Sequence, residues 1–67
     1  MKNSIYRRRV LLRLSQETLA KKCGVSRQTI NAIENDKYDP SLKLAFKLSK
    51  VLQTSVDRLF HSKHESV

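Results

Sequence analysis

Apolar residues along this chain recur at spacings of three and four rather than two. Between Gln16 and Asn35 they fall at Leu19, Ala20, Cys23, Val25, Ile30 and Ile33, with polar and basic residues in the gaps. Such spacing gathers apolar side chains on one face of an α-helix. The only glycine, Gly24, divides the run into two short amphipathic segments. Glycine takes positive φ without steric cost, so the chain can turn sharply there. The pattern is that of two helices crossing at a tight turn, the second held by its apolar face with its outer face free.

Extended along the chain, the same periodicity predicts helices near 3–12, 16–23, 27–34, 42–52 and 56–60. Ser15, Ser26, Ser41 and Ser55 each stand at the start of an apolar-periodic segment. A serine hydroxyl there accepts a bond from an otherwise unpaired helix N–H, worth about 1 kcal/mol. Glu17 and Asp57 lie in first turns, where negative charge suits the helix dipole. Arg13 and Asp36 lie at helix ends, where positive φ is also expected. The polar stretch Asn35 to Pro40 holds the only proline, just ahead of the fourth helix. So few glycines and prolines argue against a β-rich chain, since hairpins need turn residues at short intervals.

The expected fold is all-α, a compact five-helix bundle forming one domain over 1–67. The crossing helices occupy about 16–35, the C-terminal helices 42–60, and a short tail 61–67. The expected core comprises Ile5, Leu14, Leu19, Ala20, Val25, Ile30, Ile33, Leu42, Ala45, Leu48, Leu52, Val56, Leu59 and Phe60. On the fourth helix, Ala45, Leu48 and Leu52 form a stripe, with Lys43, Lys47 and Lys50 solvated on another side.

Composition then narrows the function. A chain of 67 residues buries a small share of its surface. With a single cysteine no intrachain disulfide can help, so tight packing or a partner subunit must. Cys23 lies on the apolar stripe and reads as a small buried hydrophobe in a reducing compartment. No run approaches the roughly twenty apolar residues of a membrane span. The VLL near the N-terminus is too short for a signal-peptide core. A soluble, intracellular protein is expected.

Fourteen Lys and Arg against six Asp and Glu give a formal net charge of +8. Self-repulsion on this scale is relieved by a polyanion, and nucleic acid is the usual one. The free face of the third helix carries Arg27, Gln28 and Asn31. Arginine can bond guanine through O6 and N7, and glutamine or asparagine can bond adenine through N6 and N7. No paired carboxylates, Cys–His arrangement or phosphate-binding glycine loop is present, so no catalytic residues and no cofactor are expected. His61 and His64 in the tail lack further ligands and read as solvated, not as a metal site.

The stretches SQETLAKKCGVSRQTINAIEN, KYDPSLKLAFKLSKVL and SVDRLF cover most of the chain from Ser15 to Phe60. Together they resemble the phage-repressor/Cro-like (XRE) helix-turn-helix family, in its minimal members. The resemblance implies a transcriptional regulator, most simply a repressor, with its third helix in the major groove of double-stranded DNA. Arg27, Gln28 and Asn31 then read bases, and Ala32 touches a thymine methyl. Gln16, Ser26, Thr29, Asn35, Lys37, Tyr38, Ser41 and Lys43 match positions near the sugar-phosphate backbone, which fix register without reading sequence. The resemblance also implies an ion pair between Glu34 and Arg9, locking the first helix to the third.

The first helix departs from the family pattern. Family members carry apolar residues where Arg7 and Arg8 stand and polar ones at Val10, Leu11 and Leu12. Either the helix is rotated or shifted in register, or Val10 and Leu11 form an exposed patch for a partner. Asp36 also replaces the family's usual glycine.

One small domain reads only a few base pairs, and the family solves this by two-fold dimers on palindromic operators. A late apolar excess at Phe46, Val51, Val56, Leu59 and Phe60 is the expected homodimer interface. Two other readings compete. An antitoxin would keep the DNA contacts and add a toxin protein partner. A basic protein- or membrane-surface module would use the basic, apolar stretch Arg7 to Leu14, but leaves the spacing from Gln16 to Asn35 unexplained.

Overall fold

In a computed structural model, residues 1–61 are described. Among them are five helices: α1 (Ile5–Leu11), α2 (Gln16–Cys23), α3 (Arg27–Glu34), α4 (Leu42–Val51) and α5 (Val56–Leu59). The molecule is a mostly helical bundle. Three of the expected serine caps close their helices. The Ser15 hydroxyl accepts from the Thr18 N–H at 3.0 Å, Ser26 from Thr29 at 3.2 Å, and Ser41 from Leu44 at 3.1 Å. Ser55 has the extended backbone of a cap but makes no such bond. The Asp57 carboxyl in that first turn is held below its ordinary value by the nearby Ser55 hydroxyl and by backbone N–H groups.

The turn between α2 and α3 depends on Gly24, at φ 72°. A Cβ there would meet nothing within 4 Å, so the backbone conformation rather than space selects glycine. Arg13 and Asp36 also have positive φ, as expected, at 58° and 61°. Gln53, at 57°, does the same after α4 without any local signal in the sequence.

Ile5, Leu19, Cys23, Ile30, Ile33, Leu48, Leu52 and Leu59 are fully buried. Leu12, Leu14, Val25, Val51 and Phe60 pack around them. Leu42 does not join the core; it is 69% exposed, and Leu44 is buried instead. Leu44 stands four residues before Leu48 and shares its face, whereas Leu42 opens the helix on a different side. The buried Ser49 returns its hydroxyl to the Phe46 carbonyl at 2.8 Å, which makes its burial inexpensive.

Two short strands, β1 (Lys2–Asn3) and β2 (Phe60–His61), pair antiparallel with Lys2 opposite His61 and Asn3 opposite Phe60. They were not expected. The pairing takes Asn3 out of the first helix expected near 3–12, and the helix starts at Ile5. Asn3 fills the gap: its Oδ1 accepts from the Ile5 N–H, and its Nδ2 donates to the Ile33 carbonyl at 2.8 Å. One side chain thus joins the start of α1 to the end of α3. The same pairing brings His61 to the Ser4 hydroxyl, 2.9 Å from Nε2, so His61 is half-buried rather than solvated. His64 lies outside the described residues.

Candidate nucleic-acid interface

α3 is held from one side and bare on the other. Ile30 and Ile33 are 0 and 1% exposed, while Arg27, Gln28 and Asn31 are exposed on the opposite face. Ala32 is half-buried at the margin. Rigid presentation matters here, because a side chain that reads a base must reach it without first ordering its own backbone.

Around this face lie the residues assigned by resemblance to the phosphates. Ser26, Asn35, Lys37, Tyr38, Ser41 and Lys43 are exposed, and Gln16 and Thr29 half-buried. Thr29, Tyr38, Ser41 and Lys43 line a single shallow groove beside the α2–α3 turn. Lys47 lines it too, a cation that the reading of α4 left as merely solvated. Its place one turn after Lys43 was the available signal. Several of the polar groups already have partners. Ser26 and Ser41 cap helices, and Asn35 Nδ2 donates to the Asn31 carbonyl at 2.8 Å. These bonds fix the side chains in place.

A carboxylate sits at the end of α3, and its surroundings neutralise it. Arg9 Nε donates to Glu34 Oε2 at 2.7 Å and Arg9 Nη2 to Oε1 at 3.3 Å. Gln16 Nε2 donates to the same Oε1 at 3.1 Å, so Gln16 is turned inward to Glu34. Arg9 Nη1 reaches the Leu14 carbonyl at 3.0 Å, and the Tyr6 ring lies 5.3 Å from its guanidinium carbon. α1, α2 and α3 meet at this one cluster. α1 is therefore in a register that points Arg9 at Glu34, and Val10 and Leu11 are left 51 and 68% exposed. Arg8, at a position apolar in the family, turns to the end of α4. Its Nε and Nη2 donate to the Leu52 carbonyl at 3.1 and 2.8 Å, and Nη2 to that of Gln53 at 3.0 Å.

The five residues expected at a homodimer interface do not form one patch. Phe46 is 57% exposed. Val56 and Phe60 line a shallow apolar groove with Met1, Pro40, Leu42 and Ala45. Val51 lies in a different groove, with Leu12, Leu14, Lys22 and Gln53. Leu59 is 0% exposed within its own protomer and has no surface to offer a partner. Sequence periodicity missed Leu42 as surface because α4 is apolar on more than one side.

Among the described residues, no three His, Cys, Asp or Glu side chains come together as a metal site. Cys23 is buried, and burial pushes its thiol above the ordinary value, with Lys47 pulling weakly the other way. Among the described residues no helix is long and apolar enough to cross a membrane.

The geometry matches known proteins closely. A helix-turn-helix family model matches residues 5–59. An uncharacterized HTH-type transcriptional regulator of Methanocaldococcus jannaschii is 58% identical over 60 residues, covering 90% of this chain and 91% of that protein. The P22 c2 repressor, solved in complex with a synthetic operator, superposes with a TM-score of 0.77 at 38% identity, over 79% of this chain and 80% of that one. The restriction-modification controller protein C.AhdI of Aeromonas hydrophila gives a TM-score of 0.77 at 32% identity, over 84% and 85%. The chain belongs to the Cro-like helix-turn-helix family, as a small, non-enzymatic DNA-binding transcriptional regulator.

Proposed function

We infer that the chain is a repressor that binds a palindromic operator as a homodimer, with α3 in the major groove. Arg27, Gln28 and Asn31 read base edges and Ala32 a thymine methyl, while Gln16, Ser26, Thr29, Asn35, Lys37, Tyr38, Ser41 and Lys43 set the register on the backbone. The observation that carries this reading is the two-sidedness of α3: apolar residues sealed at 0 and 1% exposure on one face, and the three base-reading side chains exposed on the other. The operator complex of the P22 c2 repressor lends it support by likeness of fold. Gln16 acts through its backbone N–H at the start of α2, since its side-chain amide is engaged with Glu34.

The homodimer uses the apolar surface made by Leu42, Phe46, Val56 and Phe60, with Val51 and Leu59 outside it. Two-fold binding to DNA requires the two copies of α3 to lie about one helical turn apart, roughly 34 Å. Selection of bound sites from random duplexes tests the reading. A two-fold symmetric consensus with fixed half-site spacing is expected. Binding without base preference, or a single unrepeated half-site, overturns it. Sedimentation showing only monomer with and without the selected site removes the dimer, and a toxin that co-purifies in equal amount would move the chain to the antitoxin class.

A further inference from the structure

α1 carries more apolar surface than the core uses. Tyr6, Val10 and Leu11 are 60, 51 and 68% exposed. Leu11 also lines a shallow groove with Ser4, Arg7, Arg8, Thr54 and Arg58. Three arginines therefore line the groove with one exposed leucine, and among the described residues no carboxylate does. Arg8 has turned its donors to the Leu52 and Gln53 carbonyls, yet its charge remains. Arg7 and Arg58 are exposed.

The groove also faces away from the reading surface. At about 100° per residue, Leu11 projects roughly 160° around α1 from Arg9. Arg9 is the residue that meets Glu34 at the end of α3. A duplex laid along α3 leaves the far side of α1 uncovered.

We propose that this groove docks an acidic segment of a partner protein, a co-regulator able to join the chain while it occupies DNA. Carboxylates of the segment pair with Arg7 and Arg58, where arginine's planar fork suits them. An apolar side chain of the segment packs on Leu11. Charge complementarity selects this occupant, since the groove offers three positive charges and, among the described residues, no carboxylate on its walls. Leucine selects a peptide over a nucleic acid, because a phosphate backbone gains nothing by covering it. A second copy of this chain is disfavoured here, since two-fold pairing would set Arg7 and Arg58 against the same arginines of the other copy. The groove shares no lining residue with the apolar one at Leu42 and Phe60, where self-association is proposed. The docking does not depend on the operator reading, and the peptide titration that tests it needs DNA only in a final competition.

The test is a titration of the full-length, isotope-labelled chain followed by its amide resonances. The probe is a synthetic hexapeptide with two central leucines between paired acidic residues. Its counterpart carries serines in place of the leucines. The leucine peptide is expected to move resonances of residues 7–11 and 54–58 and to leave 27–31 in place. The serine peptide is expected to bind about tenfold more weakly, for want of apolar contact. The double variant Arg7→Glu/Arg58→Glu is expected to lose about tenfold or more in affinity while keeping its thermal midpoint. Should that variant not fold, Arg7→Gln/Arg58→Gln carries the same expectation with a smaller loss. Four results overturn the proposal: shifts at 27–31 instead, equal affinity for the two peptides, no shifts at millimolar peptide, or displacement of the peptide from the groove by a short DNA duplex.

Discussion

Arg9 Nε and Glu34 Oε2 lie 2.7 Å apart, with only 12 and 6% of the two side chains exposed. A pair this dry gains from Coulomb attraction but gives up hydration on both sides. Extra bonds tip the balance, from Arg9 to Leu14 and from Gln16 to Glu34. The cluster binds three helices together and neutralises a carboxylate next to a surface meant for phosphates. Glu34→Gln leaves the Arg9 cation buried without its counterion. A loss of about 3 kcal/mol is expected, because an uncompensated buried charge is the costly case. In a chain of this size the thermal midpoint is then expected to fall by more than about 10 °C, read by circular dichroism. An unchanged midpoint together with unchanged DNA affinity would falsify a positioning role for the pair.

On the proposed reading, Gln28 reads a base and Lys37 contacts the backbone. Gln28→Ala is expected to relax one position of the selected site by about 1–3 kcal/mol. Lys37→Ala is expected to weaken all sequences alike and to lower the slope of affinity against salt by about one unit. Binding measured on the consensus and on single-base variants, at several salt concentrations, distinguishes the two. Identical behaviour of the two variants would remove the assignment of roles.

Arg8 closes the C-terminal end of α4 by donating to the Leu52 and Gln53 carbonyls. These are terminal carbonyls without helical partners, at the negative end of the helix dipole. Arg8→Ala is expected to cost about 2 kcal/mol in chemical denaturation, the range for hydrogen bonds to a charged group. Base preference is expected to stay the same, since Arg8 lies away from α3. A loss below a few tenths of a kcal/mol would mean that water serves those carbonyls equally well.

Cys23 links stability to alkaline pH. Burial raises its thiol above the ordinary value, so the folded chain keeps the proton longer than the unfolded one. Its contribution is therefore intact below the ordinary thiol value and declines as pH rises past it. Native protein at neutral pH is expected to react with iodoacetamide only as fast as it opens. Cys23→Ala is expected to remove the thiol's share of the alkaline slope. Rapid alkylation of the native chain would show that the thiol is neither buried nor protonated.

Much of the fold was legible because its signals are local. Spacing by three and four marked α2, α3 and α4 to within a residue of their ends. Ser15, Ser26 and Ser41 marked their starts, since a cap acts only three residues along the chain. Gly24 marked the turn, and the exposed face of α3 followed from its buried one. The candidate base-reading residues needed only that helix and its direction.

What escaped the sequence depends on which parts of the chain meet. The pairing of residues 2–3 with 60–61 joins opposite ends of the described chain, and no local propensity announces it. Leu42 and Leu59 are both leucines on amphipathic helices, yet one is 69% exposed and the other 0%. Val51 and Phe46 share α4 but face different neighbours. Arg8 reads as a misplaced charge until the end of α4 is seen beside it. The chain by itself determined its helices, its turn and the chemistry of its outer face, because hydrophobic period and capping act within a turn or two. Tertiary structure alone decided which apolar side chains stay at the surface and which charges are consumed inside, because burial is a sum over neighbours distant in sequence.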